Sequence, residues 1–153
     1  MIEIINYESK YQADFKRLNL EWLEKYNLAE SHDLEILDDP DGTVIAGGGC
    51  IFLATDAGKV VGTAGLWKEN ETEYELVKMT VDPIYRGQGI SKILLDCCLE
   101  KAKALKADKV FLFSNSQLKT ALALYEKYGF RHVIVTDSPF LTADVKMELL
   151  YTS

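Results

Sequence analysis

The chain reads as one mixed α+β domain, a mostly antiparallel sheet of six to seven strands flanked by about four helices. Three observations predict this. Residues 50–81 hold three apolar runs, "CIFLATD", "VVGTAGLW" and "YELVKMTV", joined by turns too short for a crossover, so they pair as an antiparallel meander. Two segments with helical spacing follow, separated by the nearly all-apolar run "KVFLFSN". No repeat or low-complexity linker divides the 153 residues, a length that suits a single domain with its own core.

The elements follow in order. "IEIINY" (2–7) alternates as a first strand, and Phe15, Leu18, Trp22 and Leu23 recur at helical spacing within 9–26. "ESHDLEILDDPDG" reads as a short helix stopped by Asp39-Pro40 and Asp41-Gly42, and "AGGG" (46–49) as a flexible lead into the meander. Pro83 closes the third meander strand because it offers no ladder N–H. Beyond Gly89, Ile90, Leu94, Cys97, Cys98 and Leu105 form the stripe of a helix, with Lys101, Lys103 and Lys106 at the end where they complement its dipole. A strand over 109–115 is expected to be buried on both faces. A helix over 118–128 ends at Gly129, and "RHVIVT" and "ADVKMELLY" supply the last two strands.

Composition excludes several classes of function. A net charge of −7 disfavours nucleic acid, which needs a basic face. No apolar run approaches the roughly 18 residues that cross a bilayer. The start "MIEIINYESK" lacks the basic and apolar regions of a secretory signal. Cys50, Cys97 and Cys98 show no CxxC spacing, so they read as reduced core thiols of a cytoplasmic protein, with no metal site. Charge is also uneven: residues 27–58 hold seven carboxylates and no Lys or Arg, an acidic stretch that is either a solvated face or a field for a cation.

The chemistry centres on "VDPIYRGQGISKILLDCC" (81–98). A strand, a loop with Gly87 and Gly89, and a helix N-terminus leave backbone N–H groups unpaired at the positive end of a dipole. Arg86 adds a cation and Ser91 a hydroxyl. The stretch is therefore either a ligand-free turn or a cradle for a pyrophosphate. It is not a Walker loop, which requires GxxxxGK[ST]. The dinucleotide fingerprint would need glycine where Lys92 stands, and a parallel start instead of a meander.

"TVDPIYRGQGISKILL" followed by "NSQLKTALALYEKYGF" resembles the GNAT superfamily of N-acetyltransferases, over nearly the whole chain but most specifically in 74–130. The departure is Ser91, where the family loop usually ends in Gly or Ala. The resemblance implies acetyl-CoA as co-substrate, lying between a splayed fourth strand (74–81) and fifth strand (109–115). It assigns the pantetheine to main-chain groups of Met79 and Val81, and the pyrophosphate to Arg86, Gly87, Gln88, Gly89, Ile90 and Ser91. Asn115 falls beside the cofactor arm or caps the following helix.

Acetyl transfer to a primary amine, by direct attack through a tetrahedral intermediate, sets three demands. An alkylammonium, with a pKa of about 10.4 in water, must lose its proton. The oxyanion needs donors, and the main-chain N–H of Met79 or Val81 is in the right strand. The departing thiolate benefits from an acid, and Tyr125 matches the family's acid, with Tyr128 as a structural neighbour. For the base, the resemblance points to a glutamate on the fourth strand, acting directly or through water: Glu75 is preferred and Glu73 follows, both on one face. His132 is expected to be structural, and His32 lies in the acidic segment that walls the acceptor site in the family. The resemblance turns that segment, 28–41, into a wall suited to a cationic small-molecule or peptide amine. The alternatives are a non-catalytic acyl-CoA-binding domain on the same fold, and a nucleotide-binding module. The acceptor's identity and the oligomeric state, a homodimer among the options, are not encoded in these motifs.

Overall fold

The computed structural model describes residues 1–136 and 138–151. Strands β1 (Ile2–Asn6), β2 (Cys50–Asp56), β3 (Lys59–Lys68), β4 (Glu73–Val81), β5 (Lys109–Ser114), β6 (Arg131–Val133) and β7 (Val145–Leu150) form one sheet in the order β1-β2-β3-β4-β5-β7-β6. Every pairing is antiparallel except β4 with β5. Helices α1 (Gln12–Lys25), α2 (Ser31–Asp38), α3 (Ile90–Ala104) and α4 (Lys119–Lys127) flank it. The expected strands and helices all form, although β6 keeps only three residues, all exposed, at the sheet edge.

Each face of the sheet has its own core. On one, α3 lays Leu94, Leu95, Cys98 and Ala102 on Val61, Ala64, Leu66 and Leu76, and α4 joins through Tyr125. On the other, Phe15 and Leu18 of α1 and Ile36 and Leu37 of α2 cover Ile51, Leu53 and Val60. Each fully buried leucine is worth about 2 kcal/mol. The α3 stripe differs from the expected one. Cys97 is only half-buried and Leu105 is 37% exposed, while Leu95 and Ala102 reach the core. The helix turns by 100° per residue, so Cys97 falls 100° short of Cys98 at the margin of the stripe, whereas Leu105 is exposed because the helix ends at Ala104 and Leu105 is only its C-cap. On β5, Val110, Phe111 and Leu112 are buried, but Phe113 and Ser114 are half-buried because they border open space.

The "AGGG" lead is a tight connection. Gly49 N–H donates to the Val44 carbonyl (2.9 Å), and a Cβ at Gly49 would lie 2.0 Å from the Leu66 carbonyl oxygen. Backbone cannot yield as a flexible side chain can. Gly49→Ala is therefore expected to destabilise by about 2–3 kcal/mol, as overpacking does elsewhere, read as a lower urea midpoint at unchanged slope.

Among the described residues no helix is long and apolar enough to cross a membrane.

Candidate active site

β4 and β5 pair only at Glu73–Glu75 against Lys109–Phe111. Beyond Glu75 the strands part, and a cleft of about 960 Å³ opens between them. This is the splay expected of these two strands. Main-chain groups of β4 that face the gap have no neighbouring strand, so they are free for a ligand that lies between the strands.

A bulge shapes β4 at the cleft. Thr63 pairs with Thr80 and Gly65 with Val77, so three β4 steps match two on β3. Lys78 takes a left-handed φ of 52°, which costs a non-glycine residue about 1–2 kcal/mol. Side chains hold it there. The Thr63 hydroxyl donates to the Lys78 carbonyl (2.7 Å), and the buried Asn19 amide of α1 donates to Thr63 Oγ1 (3.1 Å) and the Phe15 carbonyl (2.9 Å). The Lys78 ammonium is paired with Asp33 of α2 and stands 5.2 Å from the Phe140 ring centre. The bulge redirects the backbone of Met79, one of the two expected main-chain donors, and both Met79 and Val81 border the cleft.

The glycine loop leads from a turn fixed at both ends. Asp82 accepts from the Ile84 N–H (3.0 Å), and the Tyr85 hydroxyl donates to Asp56 of β2 (2.8 Å). Gly87 and Gly89 have φ of 80° and 79°, and no atom lies within 4 Å of a Cβ built on either. Gly89 is the N-cap of α3 and brings no side chain to its orphan N–H groups. Arg86, Gly87, Gly89, Ile90 and Ser91 all border the cleft; Gln88 is exposed and does not. An open concavity at the positive end of a fifteen-residue helix, with a guanidinium beside it, fits a phosphorylated group.

Asn115 borders the same cleft, but its side chain is engaged. Its amide donates to the Thr142 carbonyl (2.7 Å) and its oxygen accepts from the Gln117 N–H (3.0 Å). Asn115 therefore does not cap α4 as one reading expected: the turn it closes lies before the helix, whose N-cap is Leu118.

Tyr125 and Glu75, the expected acid and base, both border the cleft. Tyr125 projects from α4 into the cleft wall against Phe130, ring centres 5.7 Å apart. Burial, with the neighbouring Cys98, pushes its phenol up to about 12, and no hydrogen bond contributes to that rise. Glu75 is 8% exposed at the point where the strands separate. Burial pushes its carboxyl up to about 7, with Glu69 adding to the rise and Lys78 and Lys146 opposing it. A carboxyl in that range can exchange a proton near neutral pH. Glu73, two residues earlier, is half-exposed, lies 3.5 Å from the Lys109 ammonium, and borders a second cavity instead of the cleft. Tyr128 has a structural contact: its hydroxyl donates to Asp96 of α3 (2.8 Å).

The acidic segment is dispersed. Of residues 28–41 only Leu28 and Asp33 border the cleft, and Asp33 is neutralised by Lys78. Asp38 pairs with Lys16, Glu35 faces His32 Nδ1 (3.3 Å), and Glu30 accepts from the Leu141 and Thr142 N–H groups (2.7 and 2.9 Å). The last contact ties α2 to the loop carrying Phe140, so this segment holds the wall in place and adds little free charge. His132 is exposed beside Glu126, and His32 packs edge-on against Phe140.

The sequence reading missed Asn19, Thr63, Lys78 and Phe140. Two left a signal: Asn19 is polar within an apolar helical stripe, and Lys78 is the lone charge in the apolar half of "YELVKMTV".

The sequence profile of the acetyltransferase (GNAT) family matches residues 12–130. N-acetylaspartate synthetase of Xenopus tropicalis is 38% identical over 91 residues, 59% of this chain and 34% of that protein. An uncharacterized N-acetyltransferase of Escherichia coli, YjgM, is 37% identical over 79 residues, 50% of this chain and 47% of that one. The chain thus spans between about a third and a half of the length of these curated relatives. Among solved structures, an acetyltransferase of the GNAT family from Staphylococcus aureus Mu50 superposes with a TM-score of 0.89 at 26% identity, covering 97% of this chain and 98% of that one. A PaiA N-acetyltransferase from Thermoplasma acidophilum in complex with coenzyme A shares the fold, with a TM-score of 0.77 at 16% identity and 99% of each chain covered.

Proposed function

The chain belongs to the GNAT acetyltransferase family, and we propose that it transfers an acetyl group from acetyl-CoA to a primary amine of a small molecule or peptide. One observation carries this reading: a single cleft is bordered by an anion cradle, unpaired β4 backbone, a neutral buried phenol and a buried carboxyl that titrates near pH 7.

The residues present fit the co-substrate. Arg86 and the N–H groups around Gly87, Gly89 and Ser91 would hold its pyrophosphate, and Met79 and Val81 would bond its amides. Acetyl-CoA supplies an activated acyl group on a thiolate leaving group. Glu75 draws the proton from the acceptor ammonium, directly or through water, and exposes the nitrogen lone pair. The Met79 N–H, aimed by the bulge, donates to the carbonyl oxygen as it gains charge. Tyr125, protonated well above neutral pH, gives its proton to the departing sulfur.

Release of free CoA thiol from acetyl-CoA across a panel of amines, with mass spectrometry of the products, tests the proposal. Tight acetyl-CoA binding without thiol release from any amine would instead indicate a binding domain. The cradle is separately testable. Gly89→Ala strains a left-handed position by about 1 kcal/mol and puts a methyl where the pyrophosphate approaches. Calorimetry should show acetyl-CoA binding weakened by at least about tenfold, for a loss of only a few degrees in Tm.

A further inference from the structure

A second cavity, of about 400 Å³, also borders Glu75. Glu73, Glu75 and Val77 alternate along β4 and so share the sheet face that this cavity covers. Its walls are aromatic: Trp67, and the edge-to-face pair Phe111 and Phe113, centres 5.9 Å apart. The Lys146 ammonium stands 5.3 and 5.4 Å from those two rings, so the panel already accommodates one alkylammonium.

The charges here do not balance. Glu69, Glu73 and Glu75 border the cavity against Lys146. Lys109 is shared between Glu148 (3.1 Å) and Glu73 (3.5 Å), and His32 is engaged with Glu35 (3.3 Å), which leaves at least two carboxylates to one ammonium. Glu75 is the decisive member. It is 8% exposed and has no hydrogen-bond or ion-pair partner among the described residues, yet it reaches both cavities. Its oxygens open onto the cavities, where water or the donor of a ligand can complete them.

We infer that this cavity is the distal half of the acceptor site, and that it selects amines whose far end carries a second cation, as in an alkyl diamine. The reacting nitrogen lies at Glu75 and the methylenes run along the Phe111–Phe113 panel. The second ammonium is held at the rim by Glu69, which is exposed. The selecting charge comes from the β3–β4 hairpin, and the acidic segment 28–41 takes no part in it. This inference rests on the acetyltransferase reading.

Three probes with the same five-carbon chain separate charge from size: n-pentylamine, 1,5-diaminopentane and 5-aminopentanoate. With acetyl-CoA, kcat/KM for the diamine is expected to exceed that for the monoamine by about tenfold, with the aminopentanoate lowest. Glu69→Gln should remove about threefold of the diamine-to-monoamine ratio, as should added salt; the ratio is the readout because Glu69 also acts on Glu75, which serves both amines alike. Equal values for diamine and monoamine, or a preference for the aminopentanoate, would overturn the inference. A reading independent of turnover comes from Trp22→Phe, which leaves Trp67 as the only tryptophan. Titrated with CoA present, its fluorescence should respond to the diamine at lower concentration than to the monoamine. If no amine releases thiol but this response persists, the enzymatic reading fails and the cation site stands. If thiol is released without diamine preference in either assay, the reverse holds.

Discussion

Glu75→Gln is expected to make the protein more stable at pH 8 and nearly inactive. The sign follows from burial. The carboxyl ionises near pH 7 in the folded chain, against 4.5 for its ordinary value. As pH rises above about 4.5 the unfolded chain loses its proton first, so the folded state falls behind until pH passes 7. By then the cost has reached about 3 kcal/mol at most. A neutral amide escapes it but still lacks a partner, so we expect a net gain of about 2 kcal/mol, or roughly 6 °C in Tm at pH 8. At pH 4 the two melting temperatures should converge, since Glu75 is then protonated in both states. Activity moves the other way. Loss of the base should lower kcat/KM by about 10²–10⁴, and the acid limb near pH 7 in the wild-type profile should vanish. A variant that kept that limb would remove Glu75 from the role of base, whatever its effect on stability.

Tyr125→Phe carries the second large effect. The ring keeps its place against Phe130 and Cys98, and among the described residues the lost hydroxyl has no hydrogen-bond partner. Stability should change by less than about 1 kcal/mol. If Tyr125 protonates the departing thiolate, kcat should fall by about 10²–10³ while the Kd for acetyl-CoA stays constant. The phenol is held up to about 12, so in the wild type the activity should not decline through ionisation of this group below pH 10. An unchanged kcat in the phenylalanine variant would leave the tyrosine as a packing residue only.

Much of this site was legible in the chain because its parts are local. The glycine loop, the helix that follows it and the tyrosine near the end of α4 lie in continuous stretches whose turn chemistry and periodicity are written in neighbouring residues. Gln88 was included with the loop because spacing alone does not say which residue of a turn faces inward. Sequence alone puts Glu75 and Glu73 on one face of the strand. Their separation into a buried, unpaired carboxyl and one held by Lys109 depends on where β5 leaves β4, a property of two strands 36 residues apart by register.

The acidic stretch shows the same limit from the other side. Its charges were visible in the sequence, but their partners were not: Lys16, Lys78 and the backbone of Leu141 and Thr142 arrive from other elements. The sequence by itself determined the elements, the meander and the glycine loop that opens α3, since each follows from contacts within a few residues. Tertiary structure alone decided which carboxylates remain free, where the strands open and how the β4 bulge is held. Burial and pairing are set by groups distant in sequence, and one long-range neighbour is enough to turn a charge from a reagent into a strut.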